Sequence, residues 1–424
     1  MNDQRLIYLY LLSFFFLQFN LAGQELVPTL PENVGVSSER INNLNQVLQQ
    51  YVDDNSMSGA VALVARKNKI VFFDAVGKSD IEKNKDMKKD AIFRIASQSK
   101  AIISVGIMIL QEEGKLLISD ELGDYIPEFK KTTVTEPNKE GGYEVVAAKR
   151  PITLRDLLTH TAGIGYGYGR SKDLWEEAKI QGWYFADRNE PILETVKRMA
   201  SLPFEAHPGE KFVYGYNTDI LGAVIEVVSG LSLETFLQNR ILTPLGMNDT
   251  HFYLPKSKVS RLATVYSSGD DGIVKAPVGG TMVSQGAYVK GPRKSFSGGA
   301  GLLSTAMDYA KFLQMMLNGG TFDGKRIISR KTITLMTTDH LDEATFEWSK
   351  GTGFGLGFSV LTDLGLRGEY GTVGEYGWGG AYHSTYWVDP EEELLVVYFT
   401  QLIPANKIND HGKLRAQVYQ ALVD

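Results

Sequence analysis

The sequence Ile92-Phe-Arg-Ile-Ala-Ser-Gln-Ser-Lys100, followed by the mostly apolar run Ala101–Leu110, says most about the fold and chemistry of this chain. Ser97 is its only serine with a lysine three residues later, and on a helix that spacing puts both side chains on one face. A serine hydroxyl is a poor nucleophile until a neighbour takes its proton, so a nearby amine favours catalysis. The alternative is a capped helix with a solvated lysine. Lys100 immediately precedes an apolar segment, where a charge needs a partner, and this argues against a solvated lysine.

Regular patterns lie on the N-terminal side of this segment. Ser37 or Ser38 can cap a helix that runs to Tyr51 with apolar residues at helical spacing. Beyond it, the apolar stretches Gly59–Ala65 and Ile70–Val76 flank a short polar segment. That pattern predicts a β-hairpin at the start of an antiparallel sheet.

The C-terminal region contains the same elements in reverse order. Tyr382–Asp389 and Leu394–Thr400 predict a second hairpin, and a closing helix is predicted over about 410–422. The sequence between the two ends is mostly helical in pattern and rich in loops. We therefore expect the ends to join in one sheet and the middle to form a second lobe. Its clearest helix is Thr305–Leu317, with Thr305 and Asp308 as the predicted capping box.

Composition excludes several classes of protein. The 424 residues are 43% hydrophobic and 22% charged, as in an ordinary globular chain. A net charge of −6 without a basic face argues against a nucleic-acid partner. The absence of cysteine excludes disulfides, thiolate nucleophiles and cysteine-bound zinc. The six histidines are scattered and form no His-Glu-x-x-His motif, so we expect neither a metal nor a cofactor.

The N-terminus has the features of an export signal. Leu6–Leu17 is apolar but shorter than the roughly 20 residues that span a bilayer. Arg5 gives a basic flank, and Ala22 and Gly23 are small enough for a cleavage site. We predict a signal peptide over residues 1–23 and export to the periplasm or the medium. An uncleaved anchor or a buried helix are the alternatives.

Four further motifs make the interpretation of the segment around Ser97 more specific. Together with Ile92–Lys100 they resemble, in family order, the serine β-lactamase and penicillin-binding protein superfamily, and especially its family VIII carboxylesterases. The motifs are Leu157-Leu-Thr-His-Thr-Ala-Gly163, Pro208-Gly-Glu-Lys-Phe-Val-Tyr214 with Asp219-Ile-Leu-Gly222, Ser297-Gly-Gly-Ala-Gly-Leu-Leu-Ser-Thr305, and Gly377-Trp-Gly-Gly-Ala381.

The resemblance implies a fold and a domain organisation. The fold class is α+β and β-lactamase/transpeptidase-like, with an antiparallel sheet flanked by terminal helices and a mainly helical lobe. One domain is expected over 37–424, with the sheet lobe from about 37–95 and 350–424 and the helical lobe between. The active site is expected between the lobes, with Ser97 at a helix N-terminus.

Roles for three residues follow from the resemblance. Ser97 matches the acylated nucleophile, and Lys100 matches the amine that deprotonates it or shares that task with Tyr214. Tyr214 matches the phenol that relays protons to the leaving group and then activates water. His160, in the Leu157–Gly163 loop, resembles a structural residue and not a triad base.

The second motif departs from the common family pattern Tyr-x-Asn. This chain has Tyr214-Gly215-Tyr216, with Asn217 one position late. The esterase branch often lacks that asparagine, so the departure favours an esterase over a β-lactamase. Either tyrosine remains open as the phenol, and the spacing to Asp219-Ile-Leu-Gly222 favours Tyr214.

The third motif also departs from the penicillin-active pattern, which has Lys-Thr-Gly where this chain has Trp378-Gly379-Gly380. Without that lysine a substrate carboxylate lacks its cation, which favours neutral esters. The resemblance assigns the oxyanion hole to the amides of Ser97 and of a residue just after Gly380, most naturally Tyr382. We expect the side chains of Tyr382 and His383 to narrow the pocket, although a surface histidine is an alternative for His383.

The expected function is hydrolysis of short-acyl carboxylic esters through an acyl-enzyme. A β-lactamase or a D-amino-acid peptidase of the DD-carboxypeptidase type is the alternative enzyme. A non-catalytic penicillin-binding sensor is an alternative from another class. The expected partner is a small ester or lactam substrate.

Overall fold

The computed structural model describes residues 26–341, 346 and 348–424, so the predicted signal peptide lies outside the described residues. The main sheet of this described part has nine strands, in the order β1-β3-β2-β17-β16-β15-β14-β13 with β4 beside β3. All its pairs are antiparallel except β1 with β3. Its strands are β1 Val27–Pro28, β2 Gly59–Arg66, β3 Lys69–Asp80, β4 Lys85–Asp86, β13 Thr352–Phe354, β14 Ser359–Leu361, β15 Tyr376–Gly380, β16 Ser384–Asp389 and β17 Leu394–Phe399.

Short two-stranded pairs and twelve α-helices complete the described chain. The pairs are β5 Phe93–Arg94 with β10 Leu303–Ser304, β6 Thr133–Pro137 with β7 Tyr143–Ala147, β8 Tyr266–Gly269 with β9 Gly272–Lys275, and β11 Thr321–Phe322 with β12 Lys325–Arg326. The helices are α1 Ser38–Asp53, α2 Ser99–Glu112, α3 Leu122–Tyr125, α4 Leu154–Leu158, α5 Lys172–Glu177, α6 Ile192–Met199, α7 Asn217–Ser229, α8 Leu233–Leu237, α9 Ala306–Leu317, α10 Arg330–Met336, α11 Leu364–Arg367 and α12 Asp410–Tyr419.

The two predicted hairpins are confirmed, and they meet in the middle of the sheet. Strand β2 pairs with β3 and with β17, so the two ends of the chain are joined by backbone hydrogen bonds. Every residue of β2 is buried, because successive side chains point to opposite faces and both faces are covered. Val61 and Leu63 enter the larger core, whereas Ala62 and Val64 enter the smaller one.

Helices from both termini cover one face of the sheet. Helix α1 packs against α12, and both contribute to the smaller core through Leu44, Leu48 and Leu414. Ser37 caps α1 by accepting a hydrogen bond from the backbone N–H of Arg40, as predicted. Helix α9 covers the opposite face, where it packs on β17 and β2. The predicted fold class, an antiparallel sheet with terminal helices and a mainly helical lobe, is confirmed.

Helix α2 lies at the centre of the molecule and carries the candidate nucleophile segment at its N-terminal end. Its residues from Ser99 to Leu110 are all buried, which explains the apolar run in the sequence. It packs closely on α7 of the helical lobe. A Cβ added at Gly106 would lie 2.9 Å from Ile225 Cδ1, so glycine permits this close contact. Helix α2 therefore connects the lobes.

Two local predictions need correction. Thr305 caps α9 by accepting from the N–H of Asp308, but the reciprocal half of the capping box is absent, because the Asp308 carboxylate accepts from the N–H of Asp249. The closing helix ends at Tyr419 instead of residue 422.

Within the described chain, no single helix is both long and apolar enough to cross a bilayer. Asn217–Ser229 and Leu233–Leu242 reach that length and composition only as a pair, with an 80° bend between them.

Candidate active site

Ser97 lies in a single 3-10 turn, Ala96–Gln98, just before α2 begins at Ser99. Ala96 has a φ of 43°, a left-handed conformation that costs energy for any residue with a Cβ. The turn is fixed from both sides. The hydroxyl of Tyr309 donates to the Gln98 carbonyl at 2.9 Å, and the N–H of Leu302 donates to Ser99 Oγ at 3.0 Å. The surrounding structure thus holds Ser97 in place while its side chain stays partly accessible.

Lys100 is buried, with 2% of its surface exposed, and its side-chain nitrogen contacts three oxygens. Nζ lies 3.2 Å from Ser97 Oγ, 3.2 Å from the hydroxyl of Tyr166 and 2.7 Å from the Gly299 carbonyl. The spacing of Ser97 and Lys100 in the sequence therefore becomes a direct contact. The solvated-lysine interpretation is wrong, because the side chain is buried among these groups.

The structure brings Tyr214 to the same point. Lys100 Nζ lies 4.6 Å from the centre of the Tyr214 ring, over its face, and the indole N–H of Trp378 donates to the Tyr214 hydroxyl at 2.9 Å. His160 also packs against this ring, with centroids 4.6 Å apart. Burial, and after it the nearby Lys100 charge, holds the pKa of His160 well below its usual value, so this imidazole is neutral.

Tyr216 lies outside the cleft that contains Tyr214. It is fully buried, its hydroxyl donates to the Gly182 carbonyl at 2.9 Å, and its ring stacks on Trp175. Asn217, the displaced asparagine, donates to the carbonyl of Ile164 and contacts His160 Nδ1 at 2.9 Å. Its amide thus ties the Leu157–Gly163 loop to the start of α7, which explains the late asparagine as a structural residue.

A buried carboxylate supports the loop that contacts Lys100. Asp219 Oδ1 accepts from Ser297 Oγ at 2.6 Å and from the N–H of Gly299 at 3.0 Å. The pKa of Asp219 is raised by burial, and the hydrogen bond from Ser297 acts in the opposite direction. Because the Gly299 carbonyl accepts from Lys100, Asp219 positions the lysine through this loop.

The third motif forms strand β15 beside the Ser97 turn. A Cβ added at Gly380 would lie 2.6 Å from the carbonyl oxygen of Ile95, so only glycine lets the strand approach so closely. A Cβ at Gly379 would lie 3.2 Å from the Ser384 carbonyl. Trp378 contacts Tyr214 and is partly exposed to the cleft. The strand edge thus lies next to Ser97.

The expectation that the Tyr382 side chain narrows the pocket is wrong. Tyr382 is fully buried, and its ring packs edge-on against Trp183 with centroids 5.8 Å apart. It belongs to a small apolar cluster with Ala96 and Ala300. Only its backbone remains available for the predicted oxyanion hole. His383, in contrast, lines the cleft and has a φ of 59°.

The cleft around Ser97 has a volume of about 560 Å³, within the range of small-molecule sites. None of the described residues that line it is lysine or arginine, and aromatic rings dominate its wall. Arg293, which could have supplied a cation, donates instead to the carbonyl of Leu254 and stacks over Tyr253. The aromatic and histidine side chains in the lining are Tyr166, Trp183, Tyr214, Trp348, Trp378, His383 and His411.

Sequence reasoning missed three of these aromatic residues. The hydroxyl of Tyr166 accepts a hydrogen bond from Lys100 Nζ at 3.2 Å, and burial raises the pKa of Tyr166 well above its usual value. Trp348 stacks near Trp378 and contacts Tyr214. Trp183 lines the cleft and covers Tyr382. The only signal for Tyr166 was its place just after the recognised loop, whereas Trp183 and Trp348 lie outside every motif.

Three side chains that could hold a metal ion meet at the wall of this cleft, two of them in its lining. His383, Asp410 and His411 each offer one ligand atom, and these atoms lie within 4.8 Å of one another. No local spacing indicated this group, because His383 is far from Asp410 and His411 along the chain.

The geometry around Ser97 fits covalent catalysis by a hydroxyl. A buried amine contacts the nucleophile, a phenol lies against that amine, and a glycine-containing strand edge borders the turn. Amine and phenol can exchange protons with a substrate, and the strand edge can offer backbone N–H groups to a developing oxyanion.

Comparison with known proteins gives a consistent result. A family model described as Beta-lactamase matches residues 44–419. The chain is 30% identical to esterase EstB of Burkholderia gladioli over 84% of this chain and 89% of the relative. It is 26% identical to a putative D-alanyl-D-alanine carboxypeptidase of Escherichia coli K12, over 88% of this chain and 84% of the relative.

The solved structure of EstCE1, described as a hydrolase with promiscuous acyltransferase activity, is similar in fold. The TM-score is 0.79 at 26% identity, and the alignment covers 90% of this chain and 99% of that chain.

Proposed function

The chain belongs to the Beta-lactamase family of serine hydrolases, and from that premise we propose that it is a carboxylesterase that cleaves short-acyl esters through an acyl-enzyme on Ser97. The observation that carries the proposal is the cleft itself. Its described lining has aromatic rings and no lysine or arginine, and Trp378 contacts the phenol of Tyr214. The esterase EstB among the relatives supports the same activity.

In the proposed acylation, Ser97 Oγ attacks the ester carbonyl carbon and its proton passes to Lys100, or to Lys100 and Tyr214 acting together. The new Oγ–C bond creates a tetrahedral oxyanion, which the backbone N–H groups of Ser97 and of Tyr382, just after Gly380, stabilise. The bond to the alkoxy oxygen then breaks. Tyr214 relays the proton from Lys100 to that oxygen, so the alcohol leaves neutral.

In the proposed deacylation, a water molecule attacks the acyl carbon. Tyr214 and Lys100 take its proton, and the tetrahedral oxyanion forms again at the same N–H groups. Collapse breaks the bond to Ser97 Oγ, which regains the proton. The carboxylic acid leaves and the residues return to their first state.

Charge in the cleft supports neutral esters as the substrate class. A β-lactam carries a carboxylate, and transferring it from water into a site without a cation is costly. Trp378 offers an apolar ring, and its single N–H already donates to Tyr214. Such a wall can pack against a short acyl group or the alcohol, but it cannot neutralise a carboxylate.

The test compares kcat/KM for p-nitrophenyl butyrate with kcat/KM for nitrocefin. We expect the ester to be preferred by at least about 100-fold, which corresponds to roughly 3 kcal/mol for an uncompensated charge. Trp378→Lys should narrow this preference, whereas Trp378→Phe, which removes the N–H without adding charge, should not. Equal efficiency toward both substrates would favour the β-lactamase or D-amino-acid peptidase alternative instead.

A fluorophosphonate label separates a catalyst from a non-catalytic sensor. The intact mass of the wild-type protein should increase by one adduct that maps to Ser97, and Ser97→Ala should remain unlabelled and inactive while keeping its melting temperature. An adduct on another serine, or no adduct, would refute the assignment of the nucleophile.

A further inference from the structure

A cluster of two histidines and a carboxylate lies on the wall of the cleft and takes no part in the proposed ester hydrolysis. Asp410 Oδ1 lies 2.6 Å from His383 Nε2, and the rings of His383 and His411 stack with centroids 4.1 Å apart. One ligand atom from each of the three residues lies within 4.8 Å of the others. We propose that His383, Asp410 and His411 form a binding site for a divalent transition metal, with Zn²⁺ as the preferred ion.

The charge of Asp410 supports a cation at this point. Its side chain is fully buried, and its only ion-pair partner among the described residues is the imidazole of His383. A buried carboxylate is costly unless a positive charge lies beside it. Arg415, on the same helix, is already paired with Glu375 at 2.7 Å. A metal ion held between Asp410 and the two imidazoles would place a double positive charge beside this buried carboxylate.

The donor set matches the chemistry of zinc. Imidazole nitrogens and a carboxylate oxygen bind Zn²⁺ at about 2.0–2.2 Å, and three protein ligands leave a further position for water or another molecule. His383 and His411 line the cleft, so that further position would face its solvent, and the proposed preference for neutral esters is therefore that of the metal-free protein. Two ligand atoms at that bond length lie roughly 3.3 Å apart, so Asp410 Oδ1 and His383 Nε2, now 2.6 Å apart, have to separate, whereas atoms up to 4.8 Å apart have to approach.

A second layer of contacts holds the carboxylate in position. The hydroxyl of Tyr398 donates to Asp410 Oδ2 at 2.6 Å, so the other oxygen is left facing the histidines. Outer contacts of this kind orient metal ligands in known sites. His383 also has a φ of 59°, a left-handed conformation that a residue with a Cβ adopts at a cost. Local strain at a cleft residue is typical of functional positions.

Metal binding would replace one hydrogen bond in the cluster. The Nε2–H of His383 now faces Asp410 Oδ1, and ligation through that nitrogen requires its lone pair. The proton is therefore released to solvent or moves to Nδ1 of the same ring. Two ligand–metal bonds then take the place of the His383–Asp410 contact, and the redox state of the ion does not change.

Binding is measured directly, by titrating the full-length protein, stripped of metal, with Zn²⁺ in a calorimeter. We expect one Zn²⁺ per chain, and at least a tenfold weaker affinity in His411→Ala and in His383→Asn, whose asparagine tolerates the left-handed backbone. Tyr398→Phe should weaken binding by about 10- to 100-fold, as expected for an outer contact. His207→Ala is the matched control. It removes a histidine that contacts a carboxylate, Glu136 at 2.7 Å, in a pair without a second imidazole, and it should bind like wild type.

Cobalt gives an independent readout that does not depend on hydrolysis. Co²⁺ bound by two imidazoles and a carboxylate should give visible absorption bands, which His411→Ala should lose and Zn²⁺ should displace. Melting temperatures confirm that each variant is folded. Binding only at millimolar Zn²⁺, or with equal affinity in the wild type and all variants, would overturn the proposal and identify adventitious binding only. Because the readout is metal binding, this result is independent of whether Ser97 is the nucleophile.

Discussion

Tyr214 and Tyr216 are two residues apart but have different surroundings. Tyr214 receives the Trp378 N–H and faces Lys100, whereas Tyr216 donates to the Gly182 carbonyl inside the core. The glycine between them is required by packing, since a Cβ at Gly215 would lie 2.2 Å from the Ile164 carbonyl. The two tyrosine side chains therefore lie in different surroundings because the backbone turns at this glycine.

This difference allows a matched test of the catalytic phenol. Tyr214→Phe should lower kcat for p-nitrophenyl butyrate by about 10²–10⁴-fold, because it removes the proposed proton relay. Tyr216→Phe removes the same hydroxyl group, together with its buried hydrogen bond. It should lower the free energy of unfolding by about 1 kcal/mol and leave kcat nearly unchanged. Steady-state kinetics and urea unfolding of both variants provide the measurement. The reverse pattern would transfer the role to Tyr216.

At the scale of elements, the site depends on how closely strand β15 approaches the turn before α2. The turn carries Ser97, and the strand carries Trp378 and the two glycines that follow it. The neighbouring strand β16 holds the edge in register through the pairs Gly379 with Thr385 and Gly380 with Ser384. The site is therefore formed by two elements that are distant in sequence, each rigid within its own part of the fold.

Gly380→Ala tests this contact. The added methyl would lie 2.6 Å from the Ile95 carbonyl, so strand and turn must separate. We expect kcat/KM to fall by at least about tenfold, since small displacements of positioned groups cost large factors in rate. Gly324→Ala is the matched control, because it makes the same substitution at a glycine outside the site. Its added Cβ would meet nothing within 4 Å, although the φ of 69° at this position carries some strain. Equal kcat/KM in Gly380→Ala and wild type would show that the close approach is not needed.

At the scale of the whole molecule, burial of histidine links stability to pH. His251 exchanges backbone hydrogen bonds with Leu303, and its pKa is lowered to about 4, first by burial and then by the nearby charge of Lys258. The charge of Asp249 opposes this shift and that of Arg261 adds to it. In the unfolded chain the same group has an ordinary pKa near 6.5. The unfolded state therefore binds more protons between these two values, and folding loses stability as pH falls through that range.

We predict that His251→Gln reduces the loss of stability on acidification. Between pH 7 and pH 5 the melting temperature of the wild type should fall further than that of the variant, because the variant has no proton to take up at this position. Above pH 7 the difference between the two proteins should be constant. Thermal unfolding at several pH values measures both, and parallel curves down to pH 5 would contradict the assignment.

Local sequence patterns were sufficient for both hairpins, the helix before the sheet and the contact between Ser97 and Lys100, whereas the fold class followed from the family resemblance. These features depend on local periodicity or on residues within one turn of helix, where spacing fixes geometry. The resemblance added the order of the motifs. Details at helix ends were predicted less accurately. Helix α12 ends earlier than predicted, and the capping box at Thr305 forms only one of its two hydrogen bonds.

Only the tertiary structure decided which distant side chains share the cleft. Tyr166, Trp183 and Trp348 come from loops whose paths depend on packing and not on local pattern. Tyr382 and Trp378 differ in exposure for the same reason. The Tyr382 ring points into the core beside Ala96 and is buried, whereas the Trp378 ring points into the cleft and is partly exposed. The meeting of His383 with Asp410 and His411 depends on where α12 crosses the sheet. Over a few residues, the covalent geometry of the chain determines which side chains meet, so local contacts can be predicted from the sequence. Residues that are distant in the sequence meet only in the fold that minimises the free energy of the whole chain.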